Sequence, residues 1–450
     1  MTALTKYLSR YAEADIHLLE QNINPVPFQQ GLVVPVYRED SAVVDRFAAF
    51  AEHHPGSLII IVINRPDNDP QTEWAQALLA NRRFSPHKLR WQSAEQRLSL
   101  YSLDHDSAIL LVDRCIHGPA LAKNRGVGLA RKIGADILCQ LIHWQRVALP
   151  WIANTDADAY LPADYFTPLQ TLTDTAAVVY PFEHGIFEHR VFEQQSGEYS
   201  SGDANTVQLA TLLYEFSLRY YVCGLSWAGS PYAFHTLGST IAVHYQHYAK
   251  VRGFPKRAAA EDFYLLNKVA KTGLVNTLEK PLIQLQARLS SRVPFGTGPA
   301  VGKLAAGGDP LTMAIYHPHS FVYLRLFLQL LAQLADSADT SDSCIANTAR
   351  QLAVDRPEPI DPQRLLDVAD SLQLAQAIHH SHSQGREAST RRQHLQQWFD
   401  GFKTLKFIHC LRDRHLGTIS ARHWLEHADS YTLRGNKAMD LLMQRIKAMT

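Results

Sequence analysis

Two acidic motifs carry the side chains with the clearest chemical potential. Asp156 and Asp158 follow the apolar run 151–154. In an extended chain, residues two apart project to the same side, so both carboxylates can address one point at the end of a strand. Hard oxygen ligands of this kind suit Mg²⁺ or Mn²⁺, and either ion suits a diphosphate. A polar turn that ends the strand would explain the same residues equally well.

The second acidic motif is Glu261-Asp262, near the start of a helix predicted over residues 259–271. The helix dipole favours acidic residues in the first turn, and this alone explains many such pairs. A carboxylate at the mouth of a site could also accept a proton from an alcohol. The preceding turn, residues 252–257, contains three cations that we expect beside the carboxylates, Arg252, Lys256 and Arg257.

A glycine-containing segment precedes a long predicted helix. Gly126 and Gly128 could let the backbone approach an anionic ligand at the start of that helix. Their spacing matches neither a dinucleotide-binding loop nor a P-loop. The alternative, which the segment on its own favours, is a tight turn before an amphipathic helix whose Arg131 and Lys132 are exposed to solvent.

The elements that position these motifs alternate in type. Short apolar runs and longer amphipathic runs alternate from Gly31 to about Gln286, which is typical of the strand–helix–strand units of an α/β protein. Strands are predicted at 32–36, 57–63, 108–112, 150–154, 176–180, 239–243 and 281–285. From residue 309 onward we expect no strands, and helices are predicted over 321–334, 362–379, 390–413 and 419–449. The predicted regions are therefore an N-terminal helical extension (1–29), a catalytic domain (30–308) and an all-helical C-terminal region (309–450).

Composition excludes some classes of function. The chain has 450 residues, with 44 Lys and Arg against 43 Asp and Glu, so a net charge of +1 gives no global support for nucleic-acid binding. No apolar run reaches the ~18 residues of a membrane span, and the N-terminal residues do not resemble a signal peptide. Five scattered cysteines without a CxxC pair indicate reduced thiols, so we expect a cytoplasmic protein, with a homo-oligomer possible.

In their order and spacing, these features resemble family 2 glycosyltransferases of the GT-A fold, over roughly residues 30–300. The resemblance rests on Val34–Glu39, the helix start at Gly126–Asp136, Asp156-Ala157-Asp158, and Gly253-Phe254-Pro255 followed by Glu261-Asp262. It implies a mixed, mostly parallel sheet with helices on both faces. It also implies a nucleotide-sugar donor, a hydroxyl acceptor of unknown identity, and Mg²⁺ or Mn²⁺. The region from residue 310 onward shows no such resemblance.

The resemblance assigns roles residue by residue. Asp158 would bind the metal directly, while Asp156 would lie nearer the ribose or the waters of the metal. Asp262 would deprotonate the acceptor hydroxyl, giving inversion of the anomeric carbon, with Glu261 as its catalytic neighbour. Contacts to the nucleotide would come from Pro35, Tyr37, Glu39, Asp67 and Arg131.

Two further segments each have two interpretations. Arg288 and Arg292, after the last predicted strand, could fold over a diphosphate through bidentate contacts, or could be exposed residues of a linker. The aromatic stretch Tyr220–Tyr232 could stack on an acceptor sugar or could pack in a core. The loop at 64–67 also lacks the consecutive acids usual in the family, which leaves recognition of the base open.

Two other functions remain open at this stage. A sugar nucleotidyltransferase would share the fold, but such enzymes usually carry a glycine-rich basic signature after the first strand, where this chain has Tyr37–Asp40. The second of these functions is that of a non-catalytic protein that binds a ligand or a partner. The presence of both acidic motifs argues against it.

Overall fold

The computed structural model describes most of the chain, and its residues form two compact units. The described residues are 1–24, 26–104, 106–185, 201–286, 297–354, 360–431 and 437–449, without the side chains of 201–204 and 297. The first unit comprises Met1–Glu193 and Thr236–Pro299, and the second Gln194–His235 and Ala300–Thr450. This division differs from a single boundary near residue 308, because the segment Gln194–His235 belongs with the C-terminal residues.

The first unit is built on a mixed sheet. Its strands within the described residues are β1 (Gln30–Val36), β2 (Ser57–Asn64), β3 (Leu89–Gln92), β4 (Leu98–Ser102), β5 (Ala108–Arg114), β6 (Trp151–Asn154), β7 (Ala159–Tyr160), β8 (Thr175–Val179), β9 (Phe182–Gly185), β10 (Ile241–His244), β11 (Leu274–Thr277) and β12 (Ile283–Gln286). The large sheet has the order β11-β8-β10-β6-β1-β2-β5-β4-β3, and a small one has the order β7-β12-β9. The four central strands β6, β1, β2 and β5 are parallel, and β10 is antiparallel to both its neighbours.

The prediction of an α/β protein with a mixed sheet and a C-terminal helical region is confirmed. Every residue of β1 and β2 is buried, as expected for apolar strands covered on both faces. All seven predicted strands are present. The strands that sequence missed, β3, β4, β7, β9 and β11, are short, and β3 and β11 have no buried residue, so they lack a strong apolar pattern.

The described helices are α1 (Ala3–Arg10), α2 (Ala42–Glu52), α3 (Glu73–Leu79), α4 (Gly126–His143), α5 (Ser201–Ala228), α6 (Tyr245–Lys250), α7 (Glu261–Val269), α8 (Thr297–Ala306), α9 (His319–Asp336), α10 (Asp342–Val354), α11 (Pro362–Ser371), α12 (Leu374–Gln384), α13 (Ala388–Trp398), α14 (Gly401–Leu411), α15 (Ala421–His427) and α16 (Lys437–Lys447). Within the described residues, no helix is both long and apolar enough to cross a membrane.

In the second unit, helices form a separate core. The predicted helix at 321–334 is α9, whereas 362–379 is split into α11 and α12, because Gln373 adopts a left-handed conformation with φ 63°. Residues 390–413 are likewise split, and Asp400 caps the start of α14 by accepting from the backbone of Phe402 and Lys403.

The expectation of no strands after residue 309 is wrong at one place. Ala314–Tyr316 (β13) pairs in antiparallel fashion with Thr418–Ser420 (β14). The long helix α5 was not predicted, and Tyr220 on it is 1% exposed and donates to the carbonyl oxygen of Tyr316 at 2.8 Å. Core packing is therefore the correct interpretation of Tyr220.

Candidate active site

The central strands of the large sheet end at one edge, where the loops after β1, β2, β5 and β6 meet. In α/β sheets, ligands bind at this carboxyl edge. The Asp156–Asp158 segment follows β6 there, and its burial alternates: Thr155 and Ala157 are buried, whereas Asp156 and Asp158 are only half-buried. The two acidic residues are therefore the more exposed members of this segment.

Arg131 on α4 connects the two acidic motifs. Its Nε donates to Glu261 Oε1 at 2.8 Å, and its Nη2 donates to Asp156 Oδ1. Its Nη1 donates to the carbonyl oxygen of Gly238 at 3.1 Å. The side chain of Arg131 is 3% exposed, whereas that of Asp156 is 39% exposed. Two motifs far apart in the sequence therefore meet around one buried guanidinium, with a carboxylate open to solvent.

Three acids shape the electrostatics of this site. Burial lowers the pKa of Arg131, but the charges of Asp156, Glu261 and Asp262 raise it more, so it stays a cation. Burial raises the pKa of Asp262, and the charge of Glu261 raises it further, to about 7. Arg131 and the backbone N–H of Phe263, which donates at 2.7 Å, oppose this shift. Asp262 can therefore take up or release a proton near neutral pH, as a general base must.

A close approach between α4 and the turn at 252–257 brings the Glu261-Asp262 pair to Arg131. The backbone N–H of Gly128 donates to the carbonyl oxygen of Arg257 at 3.0 Å. A Cβ atom at position 128 would lie 2.6 Å from the carbonyl oxygens of Pro255 and Arg257. The absence of a side chain at Gly128 therefore lets α4 approach the backbone of the 252–257 turn. The alternative interpretation of this segment is wrong in one respect: Arg131 and Lys132 are each only 3% exposed.

The three cations of the 252–257 turn do not have the contacts that we expected. The guanidinium of Arg252 lies over the ring of Tyr11 at 4.4 Å, and that of Arg257 lies over the ring of Tyr264 at 4.1 Å. Lys256 Nζ pairs with Glu13 at 2.7 Å. Each cation therefore contacts a side chain other than the two carboxylates of Glu261 and Asp262.

Four of the residues expected to contact a nucleotide, Pro35, Tyr37, Glu39 and Asp67, lie in β1 or in the loops after β1 and β2, whereas Arg131 is buried on α4. Pro35 is buried inside β1, and Glu39 is half-buried beyond its end. Tyr37 Oη donates to Asp69 Oδ2 at 2.9 Å. The carboxylate of Asp67 accepts from the backbone N–H of Lys123 at 3.1 Å, which joins the loop after β2 to the loop after β5. Arg288 and Arg292 lie outside the described residues.

Sequence reasoning missed two buried acids at this edge. Asp69 accepts from Arg38 through both Nε and Nη2, at 3.1 and 2.8 Å. Asp113 accepts from the backbone of Cys115 at 2.8 Å and contacts His117 Nδ1 at 2.7 Å, while His117 remains half-exposed. Their positions were the available signal, since Asp113 directly follows the apolar run of β5 and Asp69 lies in the loop after β2.

No protein-family model matches this chain, and no curated protein matches its sequence. Its function must therefore be inferred from its residues and their geometry.

The residues at the edge fit a divalent cation that is shared with a bound phosphate. Within the described residues, no group of three or more His, Cys, Asp or Glu side chains could hold a metal ion by itself. Mg²⁺ commonly uses only one or two protein carboxylates and takes its other ligands from water and substrate phosphates. Asp156 and Asp158, both only half-buried, offer that donor set.

Proposed function

We propose that the chain is a metal-dependent glycosyltransferase that moves a sugar from a nucleotide-sugar donor to a hydroxyl acceptor. One observation carries this proposal: Arg131 pairs with Asp156 of the first acidic motif and with Glu261 of the second. An acidic segment suited to a cation and an acidic pair suited to proton transfer thus share one site. We include the GT-A fold in the proposal for the first unit, since the first acidic motif directly follows a central parallel strand.

The residues of the site divide into two roles in this reaction. Asp156 and Asp158 would hold Mg²⁺ or Mn²⁺, which when bound would neutralise the charge of the departing nucleoside diphosphate. Asp262 would accept the proton of the acceptor hydroxyl. As the acceptor oxygen forms its bond to the anomeric carbon, the bond from that carbon to the diphosphate oxygen breaks, and the configuration inverts. Burial and the charge of Glu261 raise the pKa of Asp262, and the charge of Arg131 lowers it.

The proposal is tested by replacing Asp158 with Asn, which keeps the shape of the side chain and removes its charge. A panel of nucleotide sugars is screened with Mg²⁺ and Mn²⁺, by calorimetric binding and by sugar transfer. We expect the wild-type chain to bind one donor in a metal-dependent manner. Donor binding by D158N should no longer depend on the metal, and its rate of sugar transfer should be at least about 100-fold lower. The exposed residue Asp164 supplies the control, D164N, which should behave as wild type.

Two outcomes would contradict the proposal. Donor binding and transfer in D158N equal to those of the wild-type chain would show that the first acidic motif does not support catalysis. Release of pyrophosphate from a nucleoside triphosphate and a sugar phosphate, without transfer from any nucleotide sugar, would instead assign a nucleotidyltransferase.

A further inference from the structure

The N-terminal segment, residues 2–16, contacts the 252–257 turn at three points. Tyr11 lies beneath the guanidinium of Arg252, at 4.4 Å from its ring centroid. Glu13 pairs with Lys256 at 2.7 Å. Between these contacts, Gly253 has a φ of 69° and packs so closely that a Cβ atom there would collide with Tyr7 Oη. The segment therefore touches the turn near its start, at Gly253 and near its end.

The same turn leads directly to the acidic pair of the candidate site. Arg257 is held to α4 by the hydrogen bond from the backbone of Gly128. A few residues later, Ala260 adopts a left-handed conformation with φ 60° and α7 begins with Glu261, which receives the hydrogen bond from Arg131. The turn thus lies between the N-terminal segment on one side and Glu261-Asp262 on the other.

A buried cluster anchors the N-terminal segment to α4. Asp136, which is 0% exposed, accepts from the hydroxyl of Tyr7, from Tyr248 Oη at 2.7 Å and from Lys132 Nζ at 2.9 Å. It also accepts from the backbone N–H of Glu13 at 2.8 Å. Lys132 Nζ donates a second bond, to Tyr7 Oη at 2.6 Å. Because Lys132 directly follows Arg131 on α4, this anchor and the candidate site are built on adjacent residues of one helix.

We propose that the N-terminal segment is a positioning element of the candidate active site, with Tyr7 as its principal positioning residue. It fixes the 252–257 turn and so places Glu261 and Asp262 against Arg131. The catalytic consequence rests on the proposed function, whereas the structural coupling between Tyr7 and the acidic pair does not.

The test is Y7F in the full chain, because this change keeps the ring and removes only the hydroxyl. Amide hydrogen exchange is measured over residues 252–264, and kcat and KM are measured with a nucleotide sugar that the wild-type chain accepts. We expect exchange there to become at least about tenfold faster, because Y7F removes the two hydrogen bonds that the hydroxyl makes with the charged groups of Asp136 and Lys132. We also expect kcat to fall about tenfold or more with KM unchanged, because a small misplacement of the base slows chemistry without weakening donor binding.

A matched control is Y180F. Tyr180 is also fully buried, and its hydroxyl donates to the carbonyl oxygen of Tyr165 at 2.9 Å, away from the turn. It should change neither the exchange of residues 252–264 nor kcat. Should Y7F fail to fold, E13Q breaks the pairing with Lys256 near the surface instead. A double-mutant cycle of E13Q with K256M should then show non-additive effects on exchange and kcat.

The outcomes separate this proposal from the proposed function. Unchanged exchange over residues 252–264 in folded Y7F, or an equal increase in Y180F, would overturn the positioning role. Faster exchange with an unchanged kcat would overturn its catalytic part. If the wild-type chain transfers no sugar from any donor, the proposed function fails, while the exchange comparison still decides whether Tyr7 fixes the turn.

Discussion

Two buried polar clusters are built on α4, and they differ in the balance of their charges. In the first, one guanidinium, Arg131, faces the three carboxyl groups of Asp156, Glu261 and Asp262. In the second, one carboxylate, Asp136, is surrounded by the ammonium of Lys132, two tyrosine hydroxyls and a backbone N–H. The second cluster is sealed, whereas Asp156 in the first remains 39% exposed.

This difference indicates what each cluster can do. Burial raises the pKa of Asp136, but Lys132, two tyrosine hydroxyls and a backbone N–H all donate to its carboxylate, so the second cluster holds α1 against α4. The Arg131 cluster has more acids than one cation can neutralise, and the charges of Glu261 and Asp156 add to burial in raising the pKa of Asp262. An excess of negative charge at an accessible edge favours binding of a cation or a proton. The sealed cluster is therefore structural, and we propose that the open one is catalytic.

The largest expected effects come from changing one acid in each cluster to its amide. D136N breaks a buried ion pair with Lys132 and should lower the free energy of unfolding by about 3–5 kcal/mol. D156N removes an acid whose side chain is partly exposed and should cost only about 1 kcal/mol, while lowering sugar transfer at least about 100-fold. Urea denaturation and initial rates measure the two quantities.

The control is D164N, which changes an exposed residue. It should alter neither the free energy of unfolding nor the rate of sugar transfer. If D156N lost as much stability as D136N and kept its transfer rate, both clusters would be structural, and the contrast between them would be lost.

Sequence alone predicted the parallel core of the sheet, because β1, β2 and β5 are continuous apolar runs followed by turn residues. It also predicted the position of Asp156 and Asp158 at the end of a strand. It did not predict that Arg131 and Lys132 are buried. Helical periodicity shows only which face of α4 is apolar, and the partners that cover its polar face come from distant residues such as Glu261 and Tyr7.

The second prediction concerns pH. Burial and the charge of Glu261 raise the pKa of Asp262 to about 7, from about 4 in an unfolded chain. The folded state therefore binds this proton more tightly. The resulting contribution to stability is complete below about pH 4 and is lost as pH rises through about 7. Activity should change in the opposite direction, because the ionised carboxylate is the base.

Denaturation of the wild-type chain and of D262N between pH 4 and 8 isolates this contribution, since the amide has no proton to lose. In the same interval, kcat/KM of the wild-type chain should rise with a midpoint near neutral pH. A midpoint near the ordinary value for aspartate, with no difference in the pH dependence of stability between the two proteins, would show that the open cluster does not hold a proton.

The smallest expected effect tests how rigidly the open cluster is held. A Cβ atom at Gly238 would lie 2.5 Å from Arg131 Nη2 and 2.6 Å from its Cζ, so G238A must displace the guanidinium. The side chain can move, and we expect a stability loss of only about 1–2 kcal/mol. Because Arg131 lowers the pKa of Asp262, displacing Arg131 should move the rise of kcat/KM to higher pH.

The control is G307A, which should leave the pH profile unchanged. A Cβ atom there would meet only the helix carbonyls of Lys303 and Leu304, at 3.3 and 3.6 Å. An unshifted profile in G238A would mean that Arg131 adapts freely and does not set the proton affinity of Asp262.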